Sequence, residues 1–221
     1  MCLVLLVTIA FSQTLSQVTL TGAANSNVIT FIVDESVLLN VSRDGKIIDW
    51  GVENRTRRMG IHPGPLDKYS GKEEYYPETD NEAFRGKVKY IGRTLVTYYS
   101  SSENETLKGK LKSIGSLIFD YYGSYEDEAI RGNIKNAGSV SFGFYSSFDD
   151  RAFKGKIKNV GPTNITYYSS FDDKAFTGKV KSIDRQPFVY YSSLDRREYS
   201  GSLKTGSPMV FANNVKFFVR N

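Results

Sequence analysis

The chain has very little of the chemistry that most enzymes and metal proteins use. Its 221 residues include one cysteine, Cys2, and one histidine, His62. A single chain therefore has no internal disulfide and no zinc site built from cysteine and histidine clusters. Catalysis through histidine would depend on His62 alone, which lies in the sequence GIHPGP. Flanking glycines and prolines predict a rigid loop there, so the sequence argues against a histidine enzyme.

An excess of one charge is also missing. Lysine and arginine total 29 against 24 acidic residues, which gives a net charge of +5 and a pI near 9.1. This balance favours anionic partners weakly and falls short of a typical nucleic-acid-binding protein, so we predict no nucleic-acid partner. Hydrophobic residues at 40% indicate a folded globular chain, and 15 tyrosines favour strands over helices.

Long hydrophobic runs are confined to the first residues, MCLVLLVTIAFSQ. This run is too short for a membrane span and resembles the apolar core and cleavage site of a secretory signal. We predict a signal peptide over residues 1–12, no transmembrane helix, and a protein that is secreted, periplasmic or on the cell surface. The basic residues that usually precede such a core are missing, and a start methionine placed downstream of the true one would account for this. A buried N-terminal strand is the alternative to a signal peptide. Export without disulfides is more typical of a bacterial envelope than of a eukaryotic ectodomain.

Repetition, in contrast, is abundant. The segments FYSSFDDRAFKGKIKNV (residues 144–160) and YYSSFDDKAFTGKVKSI (residues 167–183) are near-copies 23 residues apart. Aromatic pairs follow the same step from Tyr75-Tyr76 to Tyr190-Tyr191, without an insertion or deletion. The step also relates six glycines, which are Gly86, Gly109, Gly132, Gly155, Gly178 and Gly201. Such self-similarity defines a repeat architecture of six units.

Each unit predicts one β-hairpin, because 23 residues accommodate two short strands and two connections. We therefore predict an all-β fold, an antiparallel meander of six tandem hairpins with about 12 strands, plus N-terminal cap strands. In FTGKVKSI, alternation places Phe176, Gly178 and Val180 on the buried side and Thr177, Lys179 and Lys181 on the other. An aromatic ring of a neighbouring strand is expected over the bare backbone of Gly178. The place of Val180 is apolar in all six repeats, as Val88, Leu111, Ile134, Ile157, Val180 and Leu203. The sheet is either elongated or curled. Curling is favoured, because an apolar face normally needs a cover.

Residues 13–66 do not repeat, and we predict that they form a β cap followed by a connection rich in proline and glycine. Within them, residues 28–34 (VITFIVD) predict a strand and residues 41–51 (VSRDGKIIDWG) a hairpin. The repeat region then spans residues 67–221 and forms one domain with the cap. We expect the cap to protect one edge of the repeat sheet and VKFFVRN to form the closing strand at the other edge.

The most regular charged feature is a column of six lysines, one in each repeat, which we call the lysine ladder. Its members are Lys89, Lys112, Lys135, Lys158, Lys181 and Lys204. Equivalent strands are two strands apart, so neighbouring lysines lie about 9–10 Å from each other. Lysines interleaved with tyrosines suit an anionic polymer or an acidic glycan. The alternative is that these lysines only keep an exposed sheet soluble. A second column, Lys87, Lys110, Lys156 and Lys179, is interrupted by Asn133 and Ser202.

Acidic residues form another column, and two interpretations apply to it. Its members are Asp80, Glu103, Glu126, Asp149, Asp172 and Asp195. Carboxylates in turns bind calcium in some proteins, whereas Asp and Asn in turns more often accept hydrogen bonds from their own backbone. The following column changes from Glu82, Glu105 and Glu128 to Arg151, Lys174 and Arg197, which favours turn formation. We predict no metal and no cofactor. A basic patch of residues 55–58 (RTRR) beside Trp50 has a solvated loop as its simpler interpretation.

Two families resemble parts of the chain. The hairpin signature of the βγ-crystallins, aromatic-x-x-x-x-aromatic-x-Gly, is matched by Phe171, Phe176 and Gly178 and again 23 residues earlier. The MORN-type repeat is similar in period and hairpin layout over residues 75–211, although its G-K-x-x-G pattern is absent. The crystallin resemblance implies calcium at acidic hairpins. The MORN resemblance implies scaffolding or attachment to membranes and proteins, and neither family brings catalytic residues.

Together these observations predict a non-enzymatic, exported structural or binding protein of a bacterial envelope. Its repeated surface would present lysines and tyrosines to an anionic polymer, a glycan or a protein partner at a sheet edge. A carbohydrate-active enzyme is the alternative from another class, and a non-repeating cleft with carboxylates near residues 44–70 would favour it. A calcium-binding, crystallin-like protein is the third possibility.

Overall fold

The computed structural model describes residues 13–34, 36–54, 63–103 and 106–220. These residues form an 11-stranded sheet, a seven-stranded sheet and a two-stranded sheet. The predicted all-β antiparallel meander is therefore confirmed. Within the described residues, no helix has the length and apolar character that a membrane span needs. The predicted signal peptide, the RTRR patch and His62 lie outside the described residues.

The strands are numbered in chain order. The N-terminal strands are β1 (Thr14–Leu20), β2 (Val28–Val33), β3 (Val37–Ser42), β4 (Ile47–Val52) and β5 (Asp67–Lys68). The repeats contribute β6 (Glu73–Tyr75), β7 (Val88–Ile91), β8 (Thr94–Tyr98), β9 (Leu111–Ile114), β10 (Leu117–Tyr121), β11 (Ile134–Ala137), β12 (Val140–Phe144), β13 (Ile157–Val160), β14 (Thr163–Tyr167), β15 (Val180–Ile183) and β16 (Gln186–Pro187). The sixth repeat also contributes β17 (Val189–Tyr190) and β18 (Leu203–Thr205), and β19 (Met209–Ala212) and β20 (Val215–Val219) follow it. A 3-10 helix, Ala24–Ser26, lies between β1 and β2.

The repeat sheet is a simple meander in which β6 to β16 pair with their neighbours in sequence. A tight turn joins β13 to β14, where Gly161 has a φ of 53°. This left-handed conformation suits glycine because a side chain there would be strained. A long connection joins β14 to β15 and includes the repeated Gly178, with a φ of 74°. Each hairpin therefore alternates one short turn with one long connection.

The long connection corrects part of the predicted face assignment. Residues 174–178 form turns and strand β15 begins only at Val180, so Phe176, Gly178 and Lys179 do not alternate across a strand. Gly178 does not lie beneath an aromatic ring either. A Cβ added there would lie 2.7 Å from the carbonyl oxygen of Ala152, so backbone of the preceding repeat occupies this space. The alternation in the sequence did not predict the faces correctly, because side chains alternate only in extended backbone and residues 174–178 form turns.

A seven-stranded cover sheet packs against the apolar face of the repeat sheet. Its order is β19-β20-β1-β2-β3-β4-β5, and β20 pairs with β1 in parallel. The ring centroids of Phe31 in the cover sheet and Phe119 in the repeat sheet are 5.2 Å apart, and both rings are fully buried. One continuous cluster of buried side chains from both sheets forms the core. Five members of the predicted apolar column, Val88, Leu111, Ile134, Ile157 and Val180, lie within it. The sixth, Leu203, is partly buried and packs against it.

The predicted positions of the cap and of the closing strand are wrong. The N-terminal strands cover a face of the repeat sheet and do not cap its edge, and β20 joins the same cover sheet. The edges of the repeat sheet are β6 and β16. The physical reason is that burying a whole apolar face stabilises the fold far more than shielding an edge, at about 25 cal/mol per Å² of apolar surface.

The tip of the β3–β4 hairpin fastens the cover sheet to the repeats. The backbone N–H of Leu111 donates to the carbonyl of Gly45 at 3.1 Å, and that of Ile134 donates to the carbonyl of Arg43 at 2.8 Å. The hairpin tip thus contacts the second and third repeats directly. It creates a surface where non-repeating residues meet repeating ones.

Candidate functional site

The structure places five of the six predicted lysines on alternate strands of the repeat sheet, and Lys204 on β18 of the two-stranded sheet. Each ammonium lies over the ring of the second tyrosine in its own repeat, at 5.1 to 5.6 Å from the ring centroid. The pairs are Lys89 with Tyr76, Lys112 with Tyr99, Lys135 with Tyr122, Lys158 with Tyr145, Lys181 with Tyr168, and Lys204 with Tyr191. Lys89 is half-buried and the other five are exposed. The geometry of the predicted ladder is thus present, and its ligand stays a prediction.

The tyrosines beneath the lysines are held rigidly. The hydroxyl of Tyr168 donates to the carbonyl of Phe188 at 2.8 Å, and the hydroxyl of Tyr99 donates to the carbonyl of Phe119 at 2.9 Å. The same bond, to a carbonyl 20 residues further along the chain, recurs for Tyr76, Tyr122 and Tyr145. Because a lysine covers each ring, the ladder offers a ligand positive charge more readily than a free stacking surface.

The acidic column forms turns and lies beside the ladder. The N–H and hydroxyl of Ser169 donate to Asp172 at 2.6 and 2.8 Å. These hydrogen bonds lower the pKa of Asp172, and the charge of Lys181 lowers it further. Asp150 accepts bonds from the N–H and hydroxyl of Ser170 in the next repeat. Among the described residues, no cluster of three or more Asp, Glu, His or Cys side chains is arranged to hold a metal ion.

The second lysine column has a structural role that the sequence did not predict. Each of these four lysines donates to the carbonyl of the repeated glycine in the next unit. The pairs are Lys87 with Gly109, Lys110 with Gly132, Lys156 with Gly178, and Lys179 with Gly201. Lys156 is 6% exposed, and burial lowers its pKa to about 8. The prediction that Lys179 shares the outer face with Lys181 is therefore wrong.

An arginine from the cover sheet fills the gap in this second column. Asn133 occupies the place from which a lysine would reach the carbonyl of Gly155. Its side-chain amide instead donates a hydrogen bond to the carbonyl of Ala129. The guanidinium of Arg43, at the tip of the β3–β4 hairpin, donates to that Gly155 carbonyl at 2.5 Å. The interruption at Asn133 thus coincides with the place where the two sheets are joined.

The long connections expose a row of apolar side chains that sequence reasoning did not identify as a surface. Tyr125, Phe148, Phe171 and Leu194 are 104%, 94%, 95% and 94% exposed. They occupy one position of successive repeats and are called here the tip row. The basic residues Arg151, Lys174 and Arg197 follow three positions after the last three of them. The sequence carried a signal for this row, since the first two repeats have the polar residues Thr79 and Ser102 at the same place.

The tip row is expected to contribute little to stability. Changing Phe148 and Phe171 together to Ser should alter the free energy of unfolding by no more than about 1 kcal/mol, because both side chains are fully exposed. Phe142→Ser is the matched comparison, since this buried ring of β12 should cost at least about 3 kcal/mol. Urea denaturation followed by circular dichroism measures both. A large loss in the tip variant would show that the connections pack differently.

A non-repeating cleft lies beside the β3–β4 hairpin, with a volume of about 710 Å³. Trp50, Tyr75 and Tyr98 contribute to its walls together with four lysines, and Asp44 is the carboxylate that lines it. The Asp44 carboxylate accepts a hydrogen bond from the Ser42 hydroxyl and lies 3.0 Å from the Lys46 ammonium. The cleft lies in the region where the enzyme alternative predicts a site. Among the described residues that line it, Asp44 is the one carboxylate and no acid–base pair of the glycosidase kind is present. Sequence reasoning missed it because its residues come from distant segments.

Comparison with known proteins gives no relative: no family model, no curated protein and no solved structure matches the chain. The resemblances to βγ-crystallins and MORN-type repeats therefore rest on the residues quoted above and stay predictions.

Proposed function

We propose that the protein is a non-enzymatic, exported structural or binding protein of a bacterial envelope, and that its lysine ladder binds an anionic polymer or acidic glycan. The observation that supports this proposal is the register of the six ammonium groups, each seated on a tyrosine of its own repeat. A spacing of about 10 Å, set by two strands, lets one extended chain contact several lysines at once.

Multivalent contact is what makes such a surface effective. A single exposed lysine contributes little, on the order of 1 kcal/mol or less, and is screened by salt. Once one lysine holds a polymer, the neighbouring contacts become intramolecular and gain from a high effective concentration. The adjacent acidic column reduces the net charge, so the ladder favours a ligand whose negative charges are spaced along a chain over a dense polyanion.

A protein partner at a sheet edge is the second version of this function. Strand β6 has three residues and strand β16 has two, so each edge offers few backbone hydrogen bonds to an added strand. Pro187 in β16 further lacks an N–H donor. These short edges favour the ladder as the main surface.

The test is binding of the full chain to polygalacturonate, a sulfated glycan and a neutral glucan at low and high salt. We expect binding to the two acidic polymers that weakens with salt. A variant with Lys112, Lys135, Lys158 and Lys181 changed to Gln should bind at least about tenfold more weakly, since four multivalent contacts are lost. Binding can be followed by biolayer interferometry on the immobilised polymer.

The matched control changes four exposed lysines outside the ladder to Gln. Lys68, Lys72, Lys154 and Lys174 are exposed and give the same change in net charge. This control should bind nearly as well as the unchanged protein. Equal weakening in both variants would show that net charge and not the ladder governs binding, and the absence of any polymer binding would refute the proposed ligand class.

A further inference from the structure

The cleft beside the β3–β4 hairpin combines two features that a ligand site requires. Its volume of about 710 Å³ falls within the range of roughly 300–1,000 Å³ found for small-molecule sites. It lies at the junction of the cover sheet with the first two repeats, where both sides are held by backbone hydrogen bonds such as Leu111 N–H to Gly45. None of the six ladder lysines lines it.

One carboxylate orients the two aromatic side chains of the outer wall. The indole N–H of Trp50 donates to one oxygen of Glu73 at 2.8 Å, and the hydroxyl of Tyr75 donates to the other at 2.9 Å. Tyr75 is 50% exposed, whereas the equivalent aromatic residues of the other five repeats are 4–9% exposed. The first repeat thus departs from the pattern at this position and presents an oriented ring to the cleft.

The charges that line the cleft are mainly positive. Among the described residues, Lys46, Lys87, Lys108 and Lys110 line it together with the carboxylate of Asp44. Lys87 and Lys110 donate to the carbonyls of Gly109 and Gly132, both at 2.6 Å, and carbonyls do not neutralise their charge. Burial lowers the pKa of both lysines, so an anion that replaced their lost hydration would be bound favourably.

We propose that this cleft binds a single acidic sugar unit, with its ring against Trp50 and Tyr75 and its carboxylate among the lysines. Aromatic side chains pack on the apolar face of a sugar ring and lysines pair with a carboxylate, so the two halves of the site match the two halves of this ligand. A bare inorganic anion would use only the lysines. The site is separate from the lysine ladder and does not depend on ladder binding.

The only tryptophan of the 221 residues, Trp50, lies in the cleft and reports directly on its occupancy. Full-length protein is titrated with trigalacturonate while Trp fluorescence is recorded. The methyl-esterified trimer keeps the sugar rings without their charge, and inorganic phosphate has negative charge without a sugar ring. These two probes test the two contributions separately. We expect a saturable change with trigalacturonate and at least tenfold weaker binding of the ester. An unchanged signal up to millimolar trigalacturonate would overturn the proposal, as would phosphate binding as tightly as the sugar.

The repeat supplies a matched pair of variants. Lys108 lines the cleft and pairs with Glu82 at 2.7 Å, and Lys154, two repeats later, pairs with Glu128 at 2.5 Å. Lys108→Gln should weaken trigalacturonate binding about three- to tenfold, whereas Lys154→Gln should leave it unchanged. Equal weakening of trigalacturonate binding by the two substitutions would overturn the proposal. Tyr75→Ala should weaken binding of both the acid and the ester, because it removes the wall that contacts the ring.

The ladder variant separates this proposal from the proposed function. The protein with Lys112, Lys135, Lys158 and Lys181 changed to Gln should keep the fluorescence response to trigalacturonate, because none of these lysines lines the cleft. Loss of polymer binding with an intact fluorescence response supports both sites. Loss of the response in this variant would overturn the cleft as the binding site.

Discussion

Raising the pH above about 10 is expected to unfold the protein cooperatively, because buried tyrosines must ionise. The hydroxyls of Tyr98, Tyr121 and Tyr167 donate to the carbonyls of Val88, Leu111 and Ile157. Burial raises the pKa of all three phenols above the ordinary value of 10.0. Their contribution is fully present below the unfolded-state pKa and is lost as pH rises beyond it. Each buried tyrosine then destabilises the fold by up to about 1.4 kcal/mol per pH unit.

The measurement is circular dichroism and absorbance at 295 nm recorded together during an alkaline titration. Phenolate absorbance of the buried tyrosines should appear at the same pH at which the sheet signal is lost. Tyr167→Phe should reduce stability at neutral pH, since it leaves the carbonyl of Ile157 without its donor, and make the alkaline decline shallower. A smooth phenolate titration centred near pH 10 with an unchanged sheet signal would contradict this prediction.

Lys156, a buried lysine of the second column, has the opposite effect on the free energy of unfolding, and it acts at lower pH than the tyrosines. Burial lowers the folded-state pKa of Lys156 to about 8, below the ordinary value of 10.5. Between these values the unfolded chain binds more protons than the folded one, so this group makes the free energy of unfolding rise with pH. The stability profile should therefore increase slightly above pH 8 before the tyrosines reverse it.

Removing the side chain of Arg43 is expected to destabilise the fold by about 2 kcal/mol, because the carbonyl of Gly155 loses its charged donor. The repeat suggests how to restore it. A lysine at position 133 would stand in the register from which Lys110 and Lys156 reach the carbonyls of Gly132 and Gly178. Asn133→Lys should therefore recover most of the stability lost in Arg43→Ala.

The same lysine should be harmful in the unchanged protein, where it would meet the Arg43 guanidinium at one carbonyl. Four proteins, the unchanged chain, each single variant and the double variant, form a double-mutant cycle measured by urea denaturation. We expect the double variant to be more stable than the summed changes in unfolding free energy of the two single variants predict. Simple additivity would show that the two positions do not serve the same carbonyl.

The repeat architecture could be predicted because it depends on local pattern. The 23-residue period and the apolar column through Leu111 and Ile157 are visible in the sequence and lie in the core. The start of β15 was misplaced, since FTGKVKSI alternates in sequence although Gly178 has a positive φ. Lys179 donates to the carbonyl of Gly201 in the next repeat. This contact depends on how consecutive repeats pack, which the sequence pattern does not give.

The cover sheet and the cleft were not predictable for a different reason. Residues 28–33 and 37–41 are almost continuously apolar, which fits a sheet that covers a face as well as it fits a cap. The choice between them depends on where β20 goes, and β20 pairs with β1 across nearly the whole chain. The cleft combines Trp50, Tyr75 and Lys108, which approach one another only after both sheets have formed.

The parallel pairing of β1 with β20 also limits how this molecule can evolve. In an open repeat array, whole units are gained or lost with little consequence, because each unit contacts only its neighbours. Here the strand that follows the last repeat must return to the strand that precedes the first. Adding or deleting one 23-residue unit would move β20 by two strands, about 10 Å, away from β1. Duplication of a unit would therefore require a matching change in the width of the cover sheet, so the structure couples the number of repeats to the non-repeating strands.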